Sequence, residues 1–185
     1  MTSSITQDYQ QRTRLYSLLA ACLCMVAGSL VFIGGWAFDI EVLRSLSPHL
    51  VSMKANTALA FVLAGMALAL HHSQLPSVLA VICAVAVTLI GSLTLCEILF
   101  DWPLGIDELF FLDPYTVHGV AGRMATISAF SFVVLGIALL NLQGLKTRHI
   151  WLVNSCALMV LINTFITILG YLYGISSLYQ VNGYN

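Results

Sequence analysis

The stretch Met53–Ala69, MKANTALAFVLAGMALA, is repeated loosely as Met124–Leu140, MATISAFSFVVLGIALL. At a shift of 71 residues Met53/Met124, Ala58/Ala129, Phe61/Phe132, Gly65/Gly136, Ala67/Ala138 and Leu68/Leu139 coincide, and Thr57 stands opposite Ser128. Ala and Leu match cheaply in apolar helices. The Phe-x-x-x-Gly-x-Ala-Leu pattern in one register matches less cheaply, and the rest of the chain reads as what precedes, separates or follows its two copies.

The chain has 185 residues, 59% hydrophobic and only 8% charged, against about 25% charged in an average soluble domain. A water-soluble core of this size would not hide so much apolar surface, so the bilayer is the expected solvent. Each crossing then needs roughly 20 apolar residues. The formal net charge is −1, and no basic stripe offers the electrostatic footprint of a nucleic-acid partner. Cys22, Cys24, Cys83, Cys96 and Cys156 all lie within apolar runs, where they read as small helix residues and not as a disulfide framework.

Five apolar segments follow: residues 15–38, 53–70, 75–100, 124–142 and 150–173. Only helices satisfy their own backbone in hydrocarbon without closing a barrel, and no period-two alternation suggests a barrel. The expected fold is therefore all-α and integral to the membrane. It is an antiparallel bundle of five transmembrane helices with internal helix-loop-helix repeats and short interfacial helices in the outer loops. Residues 1–14 read as a polar cytoplasmic segment, residues 15–173 as the membrane domain, and residues 174–185 as an outer tail. The first apolar run is too long for a signal-peptide core and reads as a retained span.

Short-loop Lys and Arg favour the cytoplasm. Arg12, Arg14, Lys146 and Arg148 fall on one side, and Asp39, Glu41, Arg44, Asp101, Asp107, Glu108 and Asp113 on the other, with Lys54 and Arg123 close to helix ends there. The N-terminus is accordingly expected inside and the acidic loops outside. Residues 39–50 and 105–112 have apolar positions near one helical face and read as in-plane helices or re-entrant caps. Gly174-Ile-Ser-Ser-Leu-Tyr179 aligns with Gly105-Ile-Asp-Glu-Leu-Phe110 at a shift of 69, so the last span and the tail read as the first half of a third unit.

Ser52–Phe61 (SMKANTALAF), Gly122–Thr126 (GRMAT) and Tyr171–Tyr179 (YLYGISSLY) resemble the N-terminal multi-pass sensor regions of bacterial histidine kinases and GGDEF diguanylate cyclases, the MASE-type membrane modules. The resemblance covers nearly all of the chain from Gly34 onward. It implies a sensory and anchoring module of the bacterial inner membrane, from which a further helix leads to a cytoplasmic kinase or cyclase. The sequence contains no phosphoacceptor His box, Gly-rich nucleotide loop or GGDEF run, so the chain is not expected to be an enzyme. The second copy departs from the first at Ile127, where Asn56 stands in the first. The resemblance supplies no ligand-binding residue.

Glu97 is the sole acid inside a span, and intramembrane acids face protein or water. It reads either as a carboxylate reaching the outer interface or as half of a buried ion pair with Lys54 or Arg123. Lys54, Asn56, Thr57, Glu97, Arg123, Thr126, Asn163 and Tyr171 form the candidate signal pocket, with helix packing as the alternative role for the uncharged ones. Of the five histidines, His49 and His118 are the weak metal or haem candidates, and neither shows the helical spacing of a zinc site. No cofactor is expected, with haem the secondary option. The expected partners are the lipid bilayer, a second copy of the chain, and a cytoplasmic kinase or cyclase, while four-residue stripes of small residues read mostly as close packing within the chain. A small carrier or channel, or a haem or quinone electron carrier, is the competing function.

Overall fold

A computed structural model describes residues 2–45, 52–73, 77–114, 120–143 and 150–175. These residues are helical throughout the apolar segments, and no strand occurs among them. Helix α1 spans Thr2–Ser29 and continues through a wide π-helical stretch, Leu30–Ala37. It is followed by the single turn α2 (Glu41–Arg44), then α3 (Ala55–His71), α4 (Ser77–Phe100), α5 (Thr126–Gln143) and α6 (Ile150–Tyr173). Four helices are long and apolar enough to cross a membrane: Gln10–Ala37, Ser77–Phe100, Thr126–Gln143 and Ile150–Tyr173. Helix α3 is apolar but shorter, at 17 residues.

Helix α1 runs through the polar residues ahead of the first apolar run, where Asp8 and Arg12, four residues apart, pair at 3.1 Å on its exposed surface. Two expectations of outer-loop helices need correction. Of the in-plane helix expected over residues 39–50, the described part holds only Glu41–Arg44. Residues 105–112 form turns and bends and not a helix: the Ile106 carbonyl is held by Asn56 of α3, Asp107 by Arg123 ahead of α5, and Glu108 by the Asp113 amide.

The helices pack in the order α1, α3, α4, α5, α6, with α3 also touching α5. Their closest approaches are glycine contacts. A Cβ on Gly28 would lie 2.5 Å from the Ala58 carbonyl oxygen, and one on Gly65 would lie 2.7 Å from that of Ala21. On the other pair of helices, a Cβ on Gly91 would lie 2.6 Å from the Ala129 oxygen, and one on Gly136 would lie 2.9 Å from the Thr88 nitrogen. Where water does not drive helices together, such backbone proximity and the dispersion contacts it permits hold them. Ala60, Ala64, Ala67, Cys83, Ala84, Val87, Ala129, Phe132 and Leu139 fill the buried centre. Phe61 and Phe132 meet there edge to face, 5.4 Å between centroids.

Among the described helices α6 packs only on α5, and within it only Gly170 is buried. Its Leu158, Leu161, Ile162, Phe165 and Leu172 are exposed, as a surface in contact with lipid tails would be. At its C-terminus Gly174 takes φ 65° and the Ile175 amide donates to the Gly170 carbonyl at 2.9 Å, a left-handed closure of the last turn.

Gly91→Ala places a methyl where the α5 backbone lies and is expected to cost about 1–3 kcal/mol. Thermal unfolding in detergent checks this. An unchanged midpoint would show that α4 and α5 are not in backbone contact at Gly91.

Candidate functional site

One end of the bundle gathers the C-terminal ends of α1 and α4 with the N-terminal ends of α3 and α5, and most of the charged side chains inside the fold are there. Glu97, one turn from the end of α4, is 1% exposed. Its Oε1 accepts the Leu104 amide at 2.9 Å, which turns the chain after Asp101 back over the helix end. Asp101 itself adopts φ 47°, a left-handed conformation that Asp tolerates better than most residues.

The returning segment, residues 101–114, is bound at the starts of both α3 and α5. Asn56, buried in the first turn of α3, donates from Nδ2 to the Ile106 carbonyl at 2.8 Å. Lys54, just ahead of α3, meets Asp113 Oδ2 at 2.6 Å. The Asp113 side chain is fully buried, and the same oxygen accepts the Gly122 amide at 3.0 Å. Arg123, ahead of α5, donates from Nε to Asp107 Oδ2 at 2.7 Å, while its Nη2 stands 4.0 Å from Glu97 Oε2. Glu108 Oε1 accepts the Asp113 amide at 2.8 Å.

Gly122 has φ +70°, and a Cβ there would collide with the Asp107 carbonyl. Only glycine lets the chain pass beneath residue 107 and deliver Arg123 to it.

Burial pushes the Asp107 carboxyl up from the usual carboxylate range to about 6; the hydrogen bond and charge of Arg123 oppose this, and the neighbouring Glu97 reinforces it. Three buried side-chain oxygens among the described residues have no hydrogen-bond partner: Thr94 Oγ1, Glu97 Oε2 and Asp107 Oδ1.

A second, aromatic layer covers α1. Trp36 Nε1 donates to the Met53 carbonyl at 3.0 Å, and the Arg44 guanidinium lies 5.4 Å from the Trp36 ring. Arg44 also pairs with Asp39 at 2.6 Å, and its carbonyl accepts the Met53 amide at 2.8 Å. Phe110 and Phe111 from the returning segment pack on Phe32, and Phe111 stacks on Trp36. The segment between α4 and α5 is thereby seated on α1 as well.

The structure brings four sequence candidates together, Lys54, Asn56, Glu97 and Arg123. Of the two partners expected for Glu97, Arg123 approaches it and Lys54 is taken by Asp113 instead. Glu97 does not reach toward solvent. Thr57 and Thr126 lie half-buried in the first turns of α3 and α5. Asn163 donates to Ser131 Oγ at 3.2 Å between α6 and α5, and Tyr171 is 41% exposed near the end of α6. His49 and His118 lie outside the described residues.

Asp107 and Asp113 were legible only as outer-loop acids. Their six-residue spacing around Phe110 and Phe111 carries no signature of the cations they meet. At the opposite end His72 Nε2 meets Ser17 Oγ at 2.9 Å and Gln143 Nε2 donates to the Ala67 carbonyl at 3.1 Å. No group of three or more His, Cys, Asp or Glu suited to a metal ion occurs among the described residues.

Comparison with family models, curated proteins and solved structures finds no match for this chain.

Arg123→Gln would leave two buried carboxylates facing one another without their cation, and is expected to destabilise the fold by about 3 kcal/mol at neutral pH. Arg12→Gln, which removes the exposed pair to Asp8, is expected to cost less than about 1 kcal/mol. Equal losses in reversible unfolding would mean that the Arg123 cluster is as solvated as the surface pair.

Proposed function

We propose that this chain is the membrane-embedded sensory and anchoring module of a bacterial signal-transduction protein, of the two-component or cyclic-di-GMP kind, with the output domain carried elsewhere. In this reading it sits in the inner membrane with its N-terminus in the cytoplasm and crosses five times. Helix α3 is the fifth crossing: at 1.5 Å per residue its 17 residues span about 26 Å, and the Lys54 and His71 ends extend it toward the headgroups. Its partners are the bilayer, a second copy of the chain, and a cytoplasmic kinase or cyclase.

The observation that carries the proposal is the seating of residues 101–114. They hold the carboxylates for the cations ahead of both α3 and α5, Lys54 through Asp113 and Arg123 through Asp107. A stimulus that moved this segment would be felt by both inbound helices at once. Such a device works by shifting the population of two packings, and needs a stimulus with different affinity for each.

The repeat reading is supported by the glycine contacts. Gly28 abuts Ala58 and Val62 as Gly91 abuts Ala129 and Val133, which are the same α3 and α5 positions at the 71-residue shift. The two units, α1 with α3 and α4 with α5, would then be copies packed around the Phe61–Phe132 contact, and α6 would open a third.

To test the signalling role, the chain is extended through one added transmembrane helix into a diguanylate cyclase domain. Asp113→Asn and Arg123→Gln are expected to shift cyclic-di-GMP levels several-fold at equal membrane abundance. Unchanged output in both, with normal insertion, would count against a sensory role for the cluster. Alkaline phosphatase fusions after Gly105 are expected to be active and those after Ser73 inactive; the reverse pattern would overturn the orientation.

A further inference from the structure

Two carboxylates, Glu97 and Asp107, share a single guanidinium. Arg123 gives Asp107 Oδ2 a hydrogen bond at 2.7 Å but comes only to 4.0 Å of Glu97 Oε2, too far to bond it. The other nearby cation, Lys54, is held by Asp113 at 2.6 Å. With both acids ionised, the Glu97, Asp107 and Arg123 group carries one uncompensated negative charge, in a place where Glu97 is 1% and Asp107 7% exposed.

Each acid also keeps one oxygen, Glu97 Oε2 and Asp107 Oδ1, buried without a partner. The two side chains flank one guanidinium, and ionised carboxylates are acceptors only, so neither can supply the other with a donor. One proton on Asp107 cancels the excess charge and supplies the cluster with the donor it lacks.

We propose that Asp107, set against Glu97 across the Arg123 guanidinium, forms a proton-binding site, which takes up one proton for the cluster and releases it as pH rises. A metal cation is a poorer occupant, because the Arg123 guanidinium already stands against Asp107 where the ion would be. The charges acting on Asp107 are those of Glu97 from α4 and Arg123 from the segment before α5. Asp113 and Lys54 neutralise one another beside them, and Glu108 is turned to the Asp113 amide.

The sign of the linkage follows from the direction of the shift. Asp107 titrates near 6 in the fold against 3.8 ordinarily, so the folded chain binds the proton more tightly than the unfolded one. The stabilisation is complete below the ordinary value and is lost as pH rises through about 6. Proton binding in this sense does not depend on a signalling role.

The full chain in lipid nanodiscs is taken from about pH 8 to about pH 5 while infrared difference spectra and thermal unfolding are recorded. The five histidines titrate in the same range, so the carboxylic carbonyl stretch is the direct readout. A band from one protonated carboxyl per chain is expected to grow in, with a rising unfolding midpoint.

Asp107→Asn, whose amide donates toward Glu97 as the proton would, is expected to lose the band and to flatten the non-histidine part of the pH dependence. Glu97→Gln donates toward Asp107 in the same way and is expected to move the remaining titration to lower pH, which gives an independent reading should the first variant fail to fold. Absence of a carboxylic band in the wild type at about pH 5, or a band unchanged by both substitutions, would overturn the proposal.

Discussion

A carboxylate 1% exposed near the end of an apolar helix cannot be left as it stands, because hydrocarbon offers it neither water nor counter-ion. Glu97 imposes that constraint, and the chain after α4 is arranged around it. The Leu104 amide binds one of its oxygens, which reverses the backbone. The reversal carries Ile106 onto Asn56 and Asp107 to Arg123, and Asp113 further on reaches Lys54. Each contact draws in a different element, so one buried acid accounts for the closure of a whole end of the bundle.

The rest of the fold divides polar from apolar work along the helix axes. In the middle, Gly28, Gly65, Gly91 and Gly136 let backbones touch, and alanines and two phenylalanines fill what remains. At the end away from Glu97, Gln143 and His72 join α3 to α5 and α1 through hydrogen bonds. Such bonds contribute about 0.6 kcal/mol each in a measured membrane bundle. The buried ion pairs are the costlier feature to disturb, since removing one partner strands a charge.

How far the sequence revealed this depends on the kind of signal. Apolar run length located α4, α5 and α6 closely: residues 150–173 were expected and Ile150–Tyr173 is observed, and 124–142 became Thr126–Gln143. Run length missed the first half of α1, because a helix outside hydrocarbon needs no apolar residues, and it is blind to the π-helical turns where Gly34 and Gly35 admit Leu43 and Arg44. Residues 105–112 carry an amphipathic pattern, but Phe110 and Phe111 are drawn onto Phe32 and Trp36, Asp107 is drawn to Arg123 and Glu108 to the Asp113 amide. Local pattern lost there to tertiary contacts. The cluster was half legible, since an acid inside a span and cations at helix starts announce themselves, whereas the link from Lys54 to Asp113 crosses 59 residues and leaves no local trace.

Residues 101–114 bind the starts of α3 and α5 through buried charge pairs and not through incidental surface contacts. A double-mutant cycle on Lys54→Met and Asp113→Asn, read by reversible unfolding of the full chain, isolates one such pair. A coupling energy of about 1–3 kcal/mol is predicted, with the double variant far less damaged than the sum of the singles. Additivity within about 0.5 kcal/mol would contradict it.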